Sequence, residues 1–351
     1  MSSAFALRRS DAACFLHKVL VDWFERITGF REDGYDTTRS RLSVVDGRLH
    51  STHSERTCAV GQLETVSLAE LRQRAAGLTS SQGPTRVSCV QGDVRRMHRD
   101  RRNAGALFQV ASQFNLLEMV SYSVTPEHGV TRYESDSTQG PACAIAAGAG
   151  TIYRNYFAPV GAQRGQRRDR QIDCLHGVGD RLGNGDGSLW QMRNGYCLTT
   201  EEGLARIDSR LRSLDGTQLD ELRGHLQIGV QWNVETTDEG AGHPVSQAYC
   251  SALPIAYNRI GKSANWSRFA RLILDAAYEA TLLSACLNRR TNSTSVVYLT
   301  RLGGGAFRND PQWIVASISR ALEVCRDAAL DVRVVSYSDP GQDMLHLMQK
   351  F

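Results

Sequence analysis

Three consecutive glycines, Gly303 to Gly305, are the clearest candidate for chemistry in this sequence. They follow the apolar stretch SVVYLTRL (295–302) and precede a helical pattern over 311–326. Without Cβ atoms the backbone can approach a ligand closely and point successive N–H groups at it, and the N-terminal end of the next helix favours an anion. The unit predicts a phosphate site, although a tight strand-to-helix turn explains the glycines equally well. It is neither a Walker A loop nor a Rossmann fingerprint, because Gly-Lys-Ser/Thr and G-x-G-x-x-G are both absent.

A second unit of the same kind begins at Gln139-Gly140-Pro141, before a helical pattern rich in small residues over 142–157. Gly140 permits close approach, Pro141 starts the helix, and the N–H groups of the first turn have no partner within the helix. Two such helix starts facing one crevice would hold a diphosphate better than one. The alternative is a well-capped core helix, which is equally compatible with the pattern.

An acidic residue, Asp93, follows the apolar strand pattern over 86–91 and Gly92. A carboxylate in this position often caps the next helix, and it can also accept a hydrogen bond from an exocyclic amine such as that of adenine. From the residues alone, capping is the favoured interpretation.

The elements that must position these residues alternate between strand and helix from residue 86 onward. Before that point, an amphipathic helix over 11–28 and a hairpin turning at Asp46-Gly47 predict an extension. We therefore expect residues 1–85 to form an N-terminal extension packed on the core and residues 86–351 to form one α/β domain. A polar, glycine-rich stretch at about 159–225 is expected to be an insertion in that domain.

Composition excludes several classes of protein. The formal net charge is +4 over 351 residues, and the basic run from Arg95 to Arg102 contains no aromatic residue. We interpret that run as a solvated loop, with polyanion contact as the alternative. Nine scattered cysteines suggest a reducing compartment, the cytoplasm or the nucleus, and no segment is apolar enough to span a membrane. Cys174 and His176 lack further ligands at metal-binding spacing, so no metal is expected.

The order of these parts resembles the macrodomain family, which binds ADP-ribose and in some members hydrolyses ADP-ribosyl links. Five segments carry the resemblance: Gly92-Asp93-Val94, ALFQVASQFN ending at Asn115, QGPACAIAAGAG, YCSALPIAY and LGGGAFRN. It implies an α/β fold with a macrodomain-like mixed sheet and helices on both faces. It also implies that Asp93 contacts adenine, that Asn115 faces the distal ribose and that Phe307 packs on that ribose. The expected ligand-binding set is Asp93, Val94, Asn115, Gln139, Gly140, Pro141, Gly303, Gly304, Gly305, Ala306 and Phe307.

The sequence departs from the family pattern at several places. Gly140 alone stands for the glycine run of the first loop, and Arg308 replaces the last glycine of the second. Ser112-Gln113-Phe114 replaces the Ala-Ala that precedes the family's asparagine. The glutamate pair that follows the glycine run of poly-ADP-ribose glycohydrolases is absent.

The function implied by the resemblance is binding of ADP-ribose or ADP-ribosyl groups, with hydrolysis of an ADP-ribosyl linkage and without a metal or cofactor. The catalytic candidates are Asn115, Glu118 and Asp136, with Glu134 also near the expected site; each carboxylate could instead be a surface or capping group. The partner would be ADP-ribose or an ADP-ribosylated macromolecule, with nucleic acid only as a modified substrate and no membrane. A reader module without catalysis, and an interaction protein with a degenerate site, remain open.

Overall fold

The computed structural model describes residues 21–80, 82–258, 260, 263–336 and 341–351. The strands, in chain order, are β1 Leu42–Val45, β2 Arg48–Ser51, β3 Ser54–Ala59, β4 Gln62–Ser67, β5 Arg86–Gln91, β6 Leu107–Ala111, β7 Pro159–Val160, β8 Gln163–Arg164, β9 Trp190–Arg193, β10 Tyr196–Thr199, β11 Gln227–Glu235, β12 Pro244–Cys250, β13 Val296–Leu299 and β14 Asp331–Ser336. The helices are α1 Trp23–Thr28, α2 Tyr35–Ser40, α3 Leu68–Arg74, α4 Val94–Arg99, α5 Gln139–Ala146, α6 Gly148–Tyr156, α7 His176–Leu182, α8 Glu201–Ser213, α9 Gly216–Gly224, α10 Ser263–Asn292, α11 Pro311–Val324 and α12 Gln342–Lys350.

The central sheet has seven strands in the order β4-β11-β12-β6-β13-β14-β5. Strand β11 is antiparallel to both neighbours, β4 and β12, and all the other neighbouring pairs are parallel. The sheet is therefore mixed, as expected from the sequence. Because β6, β12, β13, β14 and β5 run in one direction, their carboxyl ends lie at one edge of the sheet.

Helices cover both faces of this sheet. Two adjacent side chains of β6 show the two faces, because successive residues of a strand point to opposite sides. Phe108 stacks on His98 of α4, with ring centroids 3.7 Å apart, whereas Gln109 donates a hydrogen bond to Thr281 of α10. The predicted fold class, a mixed α/β sheet between helices, is confirmed.

The N-terminal part contains the predicted hairpin, β1–β2, with its turn at Asp46-Gly47. The helix expected over 11–28 is seen as α1, and the earlier part of that prediction lies outside the described residues. One strand of the predicted extension, β4, belongs to the main sheet, where it pairs with β11 at the edge. No strict alternation of apolar and polar residues separates this six-residue strand from the helix that follows it.

Two local predictions need correction. The single helix expected over 142–157 is broken at Ala147, because Thr237 accepts a hydrogen bond from the Gly148 amide and donates its own amide proton to the Ala146 carbonyl. The run Arg95–Arg102, expected as a solvated loop, begins as helix α4, which Asp93 caps. Its inward side is neutralised, since Arg95 forms an ion pair of 2.7 Å with the buried Asp238.

The stretch 159–225, predicted to be an insertion, contains a second hairpin, β9–β10, which turns at Asn194 and Gly195. Among the described residues, no helix combines the length and the apolar character needed to cross a bilayer.

Candidate functional site

A cavity of about 520 Å³ opens where the parallel strands end. This edge of an α/β sheet is where such folds usually bind ligands. Both predicted loops contribute to it, so they meet at the same edge of the sheet. The predicted residues that line the cavity are Val94, Glu118, Asp136, Gln139, Gly140, Pro141, Gly303, Gly304, Gly305, Ala306 and Phe307.

The loop between β13 and α11 offers several unused backbone donors. The Gly304 amide closes a turn on the Arg301 carbonyl at 2.9 Å, and the Arg308 amide bonds the Gly305 carbonyl at 3.0 Å. The amides of Gly305, Ala306 and Phe307 donate to no acceptor within the described residues. A run of free N–H groups at the mouth of a cavity is suited to an anion.

The three glycines of this loop have different reasons to be glycine. Gly303 has φ +73°, and a Cβ there would lie 2.4 Å from Ala252 Cβ. A Cβ on Gly304 would be 3.1 Å from Ile314 and 3.2 Å from the Arg301 carbonyl, whereas one on Gly305 would meet nothing within 4 Å. Gly303 is therefore required by the fold, and Gly305 is the glycine that leaves open space beside the free amides.

Arg301 is a site residue that the sequence reasoning missed. It lines the cavity two positions before the first of the three glycines and is partly buried. Across the described part of the chain, its guanidinium forms no hydrogen bond and no ion pair. A guanidinium without a carboxylate partner beside free amides is suited to a phosphate group. The sequence signal that could have identified Arg301 is its position as a basic residue close to the glycine run.

The first loop is held to the end of strand β6. Gln139 accepts a hydrogen bond from the Ala111 amide at 2.8 Å and donates one to the Gln109 carbonyl at 2.8 Å, so its side chain pairs with the strand. A Cβ on Gly140 would lie 2.1 Å from the Ala111 carbonyl oxygen and 2.3 Å from Glu118 Oε2. Gly140 is thus needed for the close approach of helix, strand and carboxyl group, a role the sequence did not reveal.

Glu118 is the most unusual group in the cavity wall. The residue is 3% exposed, and its Oε1 is buried without a hydrogen-bond partner among the described residues. Burial raises the pKa of this carboxyl well above 4.5; the Asp136 charge raises it further, and the Arg154 guanidinium opposes both effects. A carboxyl group that stays protonated near neutral pH can serve as a proton donor.

Asp136 faces the same cavity and is more exposed than Glu118. Its Oδ1 accepts a hydrogen bond from the Thr138 amide at 2.9 Å, which leads the chain into α5. The nearby candidate Glu134 is exposed, does not line the cavity, and has Arg26 at 3.9 Å. Two carboxyl groups in different environments, one buried and one partly solvated, are a common arrangement for acid–base chemistry.

Besides Glu134, two predicted residues do not line the cavity. Asp93 caps α4 by accepting the Arg95 amide proton at 2.8 Å, as the capping interpretation expects. Asn115 is fully buried: it donates to Gln171 at 2.7 Å and accepts from the Leu117 amide at 3.1 Å. The latter bond shapes the turn that leads from β6 to Glu118, where Leu116 has φ +64°.

An aromatic wall completes the cavity. The rings of Tyr196, Tyr257 and Phe307 contact one another, with centroids 5.1–5.6 Å apart. Only Phe307 was anticipated. Tyr196 comes from the β9–β10 hairpin, so the insertion builds part of the site. No sequence spacing connects position 196 with position 307, because only the folded insertion brings them together.

Within the described residues, no cluster of three or more His, Cys, Asp or Glu side chains is arranged to hold a metal ion. The polar layer beneath the cavity is instead a buried hydrogen-bond network. Arg154 donates to the Leu116 carbonyl at 2.9 Å and to Gln231 at 2.8 Å, and its guanidinium lies 3.8 Å from the Tyr249 ring centroid. This network fixes one positive charge below the carboxyl group of Glu118.

Comparison with known proteins gave matches among solved structures only. No family model matches, and no curated protein matches. The poly(ADP-ribose) glycohydrolase of Thermomonospora curvata is 13% identical and has a TM-score of 0.43, with 90% of this chain and 96% of that chain covered. Its complex with the inhibitor ADP-HPD gives a TM-score of 0.40 at 13% identity and the same coverage.

A poly(ADP-ribose) glycohydrolase from Deinococcus radiodurans, solved in complex with ADP-ribose, is 14% identical with a TM-score of 0.40. The alignment covers 82% of this chain and 93% of that one. The chain described here is similar to these bacterial glycohydrolases over 82–90% of its length, at 13–14% sequence identity.

Proposed function

We propose that this protein binds ADP-ribose or an ADP-ribosyl group in the cavity and hydrolyses an ADP-ribosyl linkage, with Glu118 as the proton donor. The observation that carries the proposal is the buried Glu118 carboxyl, which has one unpartnered oxygen and lies in the wall of a ligand-sized cavity. A polar group that is buried without a hydrogen bond destabilises the folded state by about 1–3 kcal/mol. Ionisable groups in such unfavourable surroundings are found most often at functional sites.

The proposed ligand class follows from the lining. The amides of Gly305 to Phe307 and the Arg301 guanidinium provide donors for a phosphate group, and the start of α5 provides a second helix N-terminus on the same cavity. The aromatic wall offers a surface for a ribose or a base. The order of the segments, which resembles macrodomains, adds ADP-ribose as the specific ligand. The modified partner would be a protein or a nucleic acid.

The proposed reaction balances as a hydrolysis. Protonated Glu118 donates its proton to the leaving oxygen as the bond from the anomeric carbon to that oxygen breaks. A water oxygen forms the new bond to the carbon, and Asp136 accepts the proton that this water loses. Asn115 would act by shaping the turn before Glu118. The products are ADP-ribose and the unmodified partner group, and no metal or cofactor takes part in these steps.

The test combines turnover with binding on the same sample. Purified protein should release ADP-ribose from ADP-ribosylated protein or nucleic acid. Replacing Glu118 by Gln, which keeps the shape but cannot donate an acidic proton, should reduce the rate at least 100-fold, the low end of what a general acid contributes. Calorimetric affinity for ADP-ribose should change by less than about threefold, or about 0.7 kcal/mol. Equal turnover by wild type and Glu118→Gln would contradict the assignment.

A second candidate function is recognition of ADP-ribose without turnover. It is favoured by the position of Asn115, which lies outside the cavity with both polar side-chain atoms bonded to the protein. In that case wild type would bind ADP-ribose in the calorimeter and release none from any modified substrate. A protein that neither binds nor turns over would exclude both functions.

A further inference from the structure

A carboxylate of the N-terminal part docks on the segment that leads to the cavity. Glu32 accepts hydrogen bonds from the Val130 amide at 2.8 and 2.9 Å and from the Thr131 amide at 2.7 Å. The buried Tyr156 hydroxyl donates to the same carboxylate at 2.7 Å. A Cβ at position 129 would collide with Glu32, so Gly129 leaves the space the carboxylate occupies.

The same segment is held from a second side. The Trp23 ring nitrogen donates to the Thr131 carbonyl at 3.2 Å. Trp23, Val130 and Tyr133 are each at most 2% exposed and belong to one apolar cluster. Residues 130–133 are therefore fixed by contacts with the N-terminal part and not by the central sheet alone.

Tyr133 connects this clamp to Glu118. The Tyr133 amide donates to the Val130 carbonyl at 3.1 Å, so the backbone of Tyr133 belongs to the turn that Glu32 holds. The Tyr133 hydroxyl accepts the Glu118 amide proton at 2.9 Å. A continuous series of bonds thus runs from Glu32 through residues 130–133 to the backbone of Glu118.

We infer that Glu32 is a positioning residue for the Glu118 carboxyl, acting through Val130 and Tyr133. This inference rests on the proposed function for its effect on turnover. Loss of the Glu32 charge would loosen residues 130–133, let the backbone of Glu118 move, and open its carboxyl to water. The chemical group that reacts would remain present but displaced.

A displacement of the Glu118 carboxyl would change its interactions with the groups that surround it, and so its pKa. Asp136 and Arg154 are the charged groups that act on its carboxyl, and the buried side chains of Tyr133, Tyr249 and Cys143 are also close enough to interact with it electrostatically. Because burial is the main cause of its raised pKa, greater access to water should lower that pKa.

The experiment uses the full chain and the variant Glu32→Gln, with Glu25→Gln as the matched control. Glu25 lies in the same N-terminal part, and its carboxylate pairs with Arg31 at 3.1 Å and with no other side chain among the described residues. Glu32→Gln keeps one acceptor oxygen but turns an NH₂ group toward backbone amides. We expect kcat to fall between about tenfold and a hundredfold with little change in KM, the scale of a small misplacement of a reacting group. Glu25→Gln should match wild type.

Two further measurements separate positioning from a general loss of structure. Tyr133→Phe should lower kcat similarly, and the double variant Glu32→Gln/Tyr133→Phe should be no slower than the slower single variant, because both act on one series of bonds. If the two single reductions in kcat multiply in the double variant, the two residues act independently and the route through Tyr133 is wrong. Wild-type kcat in Glu32→Gln would overturn the inference itself.

A readout that does not need turnover keeps this inference distinct from the proposed function. The carboxyl carbon of Glu118, followed by NMR in ¹³C-glutamate-labelled protein, reports its pKa directly. That pKa should be lower in Glu32→Gln than in wild type and unchanged in Glu25→Gln. If wild type shows no turnover, the proposed function fails, while an altered Glu118 titration would still support the positioning role. An unaltered titration would contradict it.

Discussion

Glu118 illustrates how a single residue can acquire unusual chemistry from its surroundings. In the sequence it is one of four acidic residues between positions 115 and 140, with no motif to distinguish it. In the fold it is 3% exposed, while Asp136 on the same cavity keeps contact with solvent. Burial is the main cause of the raised pKa of Glu118.

The raised pKa of Glu118 predicts a dependence of stability on pH. The unfolded chain loses the Glu118 proton near the ordinary pKa of 4.5, whereas the folded chain keeps it to a higher pH. The folded state therefore binds more protons above pH 4.5, so its free energy of unfolding should fall as the pH rises toward the raised pKa, by about 1.4 kcal/mol for each unit of difference.

Urea unfolding of wild type and Glu118→Gln at several pH values between 5 and 8 measures this effect. Other groups titrate equally in the two proteins, so the difference between their free energies of unfolding isolates Glu118. Wild type should lose stability relative to the variant as the pH rises. A constant difference across the range would show that the carboxyl is not held in its neutral form.

Residue types near the site could be predicted, but the direction of individual side chains could not. The glycine units could be recognised from their positions between a strand and a helix, and Phe307 followed from the resemblance to macrodomains. Asn115 was predicted to face the ligand because of its place in the order of segments that resemble macrodomains. In the structure, Leu116 has a left-handed backbone conformation that turns the chain, and the Asn115 side chain is bonded to Gln171. A one-residue change in backbone conformation of this kind has no sequence signature when the residue is leucine.

At the level of elements, the loop between β13 and α11 has a first part that packs against the protein and a second part that faces free space. Gly303 and Gly304 pack against Ala252 and Ile314, whereas Gly305 faces free space beside the unused amides. Arg308, which stands where the family usually has glycine, has φ +57°, so the loop keeps the left-handed conformation without the residue that favours it.

Gly305→Glu is therefore the substitution that tests anion binding by this loop. A glutamate there should place a negative charge beside the free amides without a steric conflict, and ADP-ribose affinity should fall at least tenfold, or about 1.4 kcal/mol. Gly305→Gln is the control with equal size and no charge, and calorimetry on both, with thermal melting, makes the comparison. Equal affinity of the two variants and wild type would show that this loop is only a turn.

The elements themselves were largely predictable where their patterns were long. Helix α11 follows from its periodicity and the β1–β2 hairpin from its turn residues, because these signals are local. The break at Ala147 was not predictable, since Thr237, which takes over the backbone bonds, lies about 90 residues further on. The same reason applies to Tyr196, whose place in the cavity depends on how the insertion folds back.

At the scale of the whole molecule, an ion-pair network joins α3, α9, α10 and α11. Glu279, whose side chain is 2% exposed, bonds Arg72 at 2.6 Å and also pairs with Arg320. Both arginines also reach Asp220, at 2.8 and 2.9 Å. The network therefore ties the N-terminal part, the insertion and the C-terminal helices to the longest helix of the fold.

Glu279→Gln should destabilise the protein without affecting the cavity. The substitution removes the buried charge that faces two arginines, and we expect the free energy of unfolding to fall by about 2 kcal/mol, less than for a fully buried pair because the arginines are partly exposed. Glu221→Gln, an exposed acid on α9, should stay within about 0.5 kcal/mol of wild type. Urea unfolding measures both, and ADP-ribose affinity should be unchanged. A loss no larger than that of the control would mean the network adds no net stability.

The strand order also has a consequence for synthesis of the chain. Strand β5 lies at one edge of the sheet, and its partner there is β14, where Arg86 pairs with Asp331. Thr85 and Leu330, just before these strands, are 245 positions apart. At ribosomal rates of about 5–20 residues per second, β5 leaves the ribosome roughly 12–50 seconds before β14 exists. During that interval β5 is an unpaired strand on a nascent chain, so binding by chaperones should matter most for this segment.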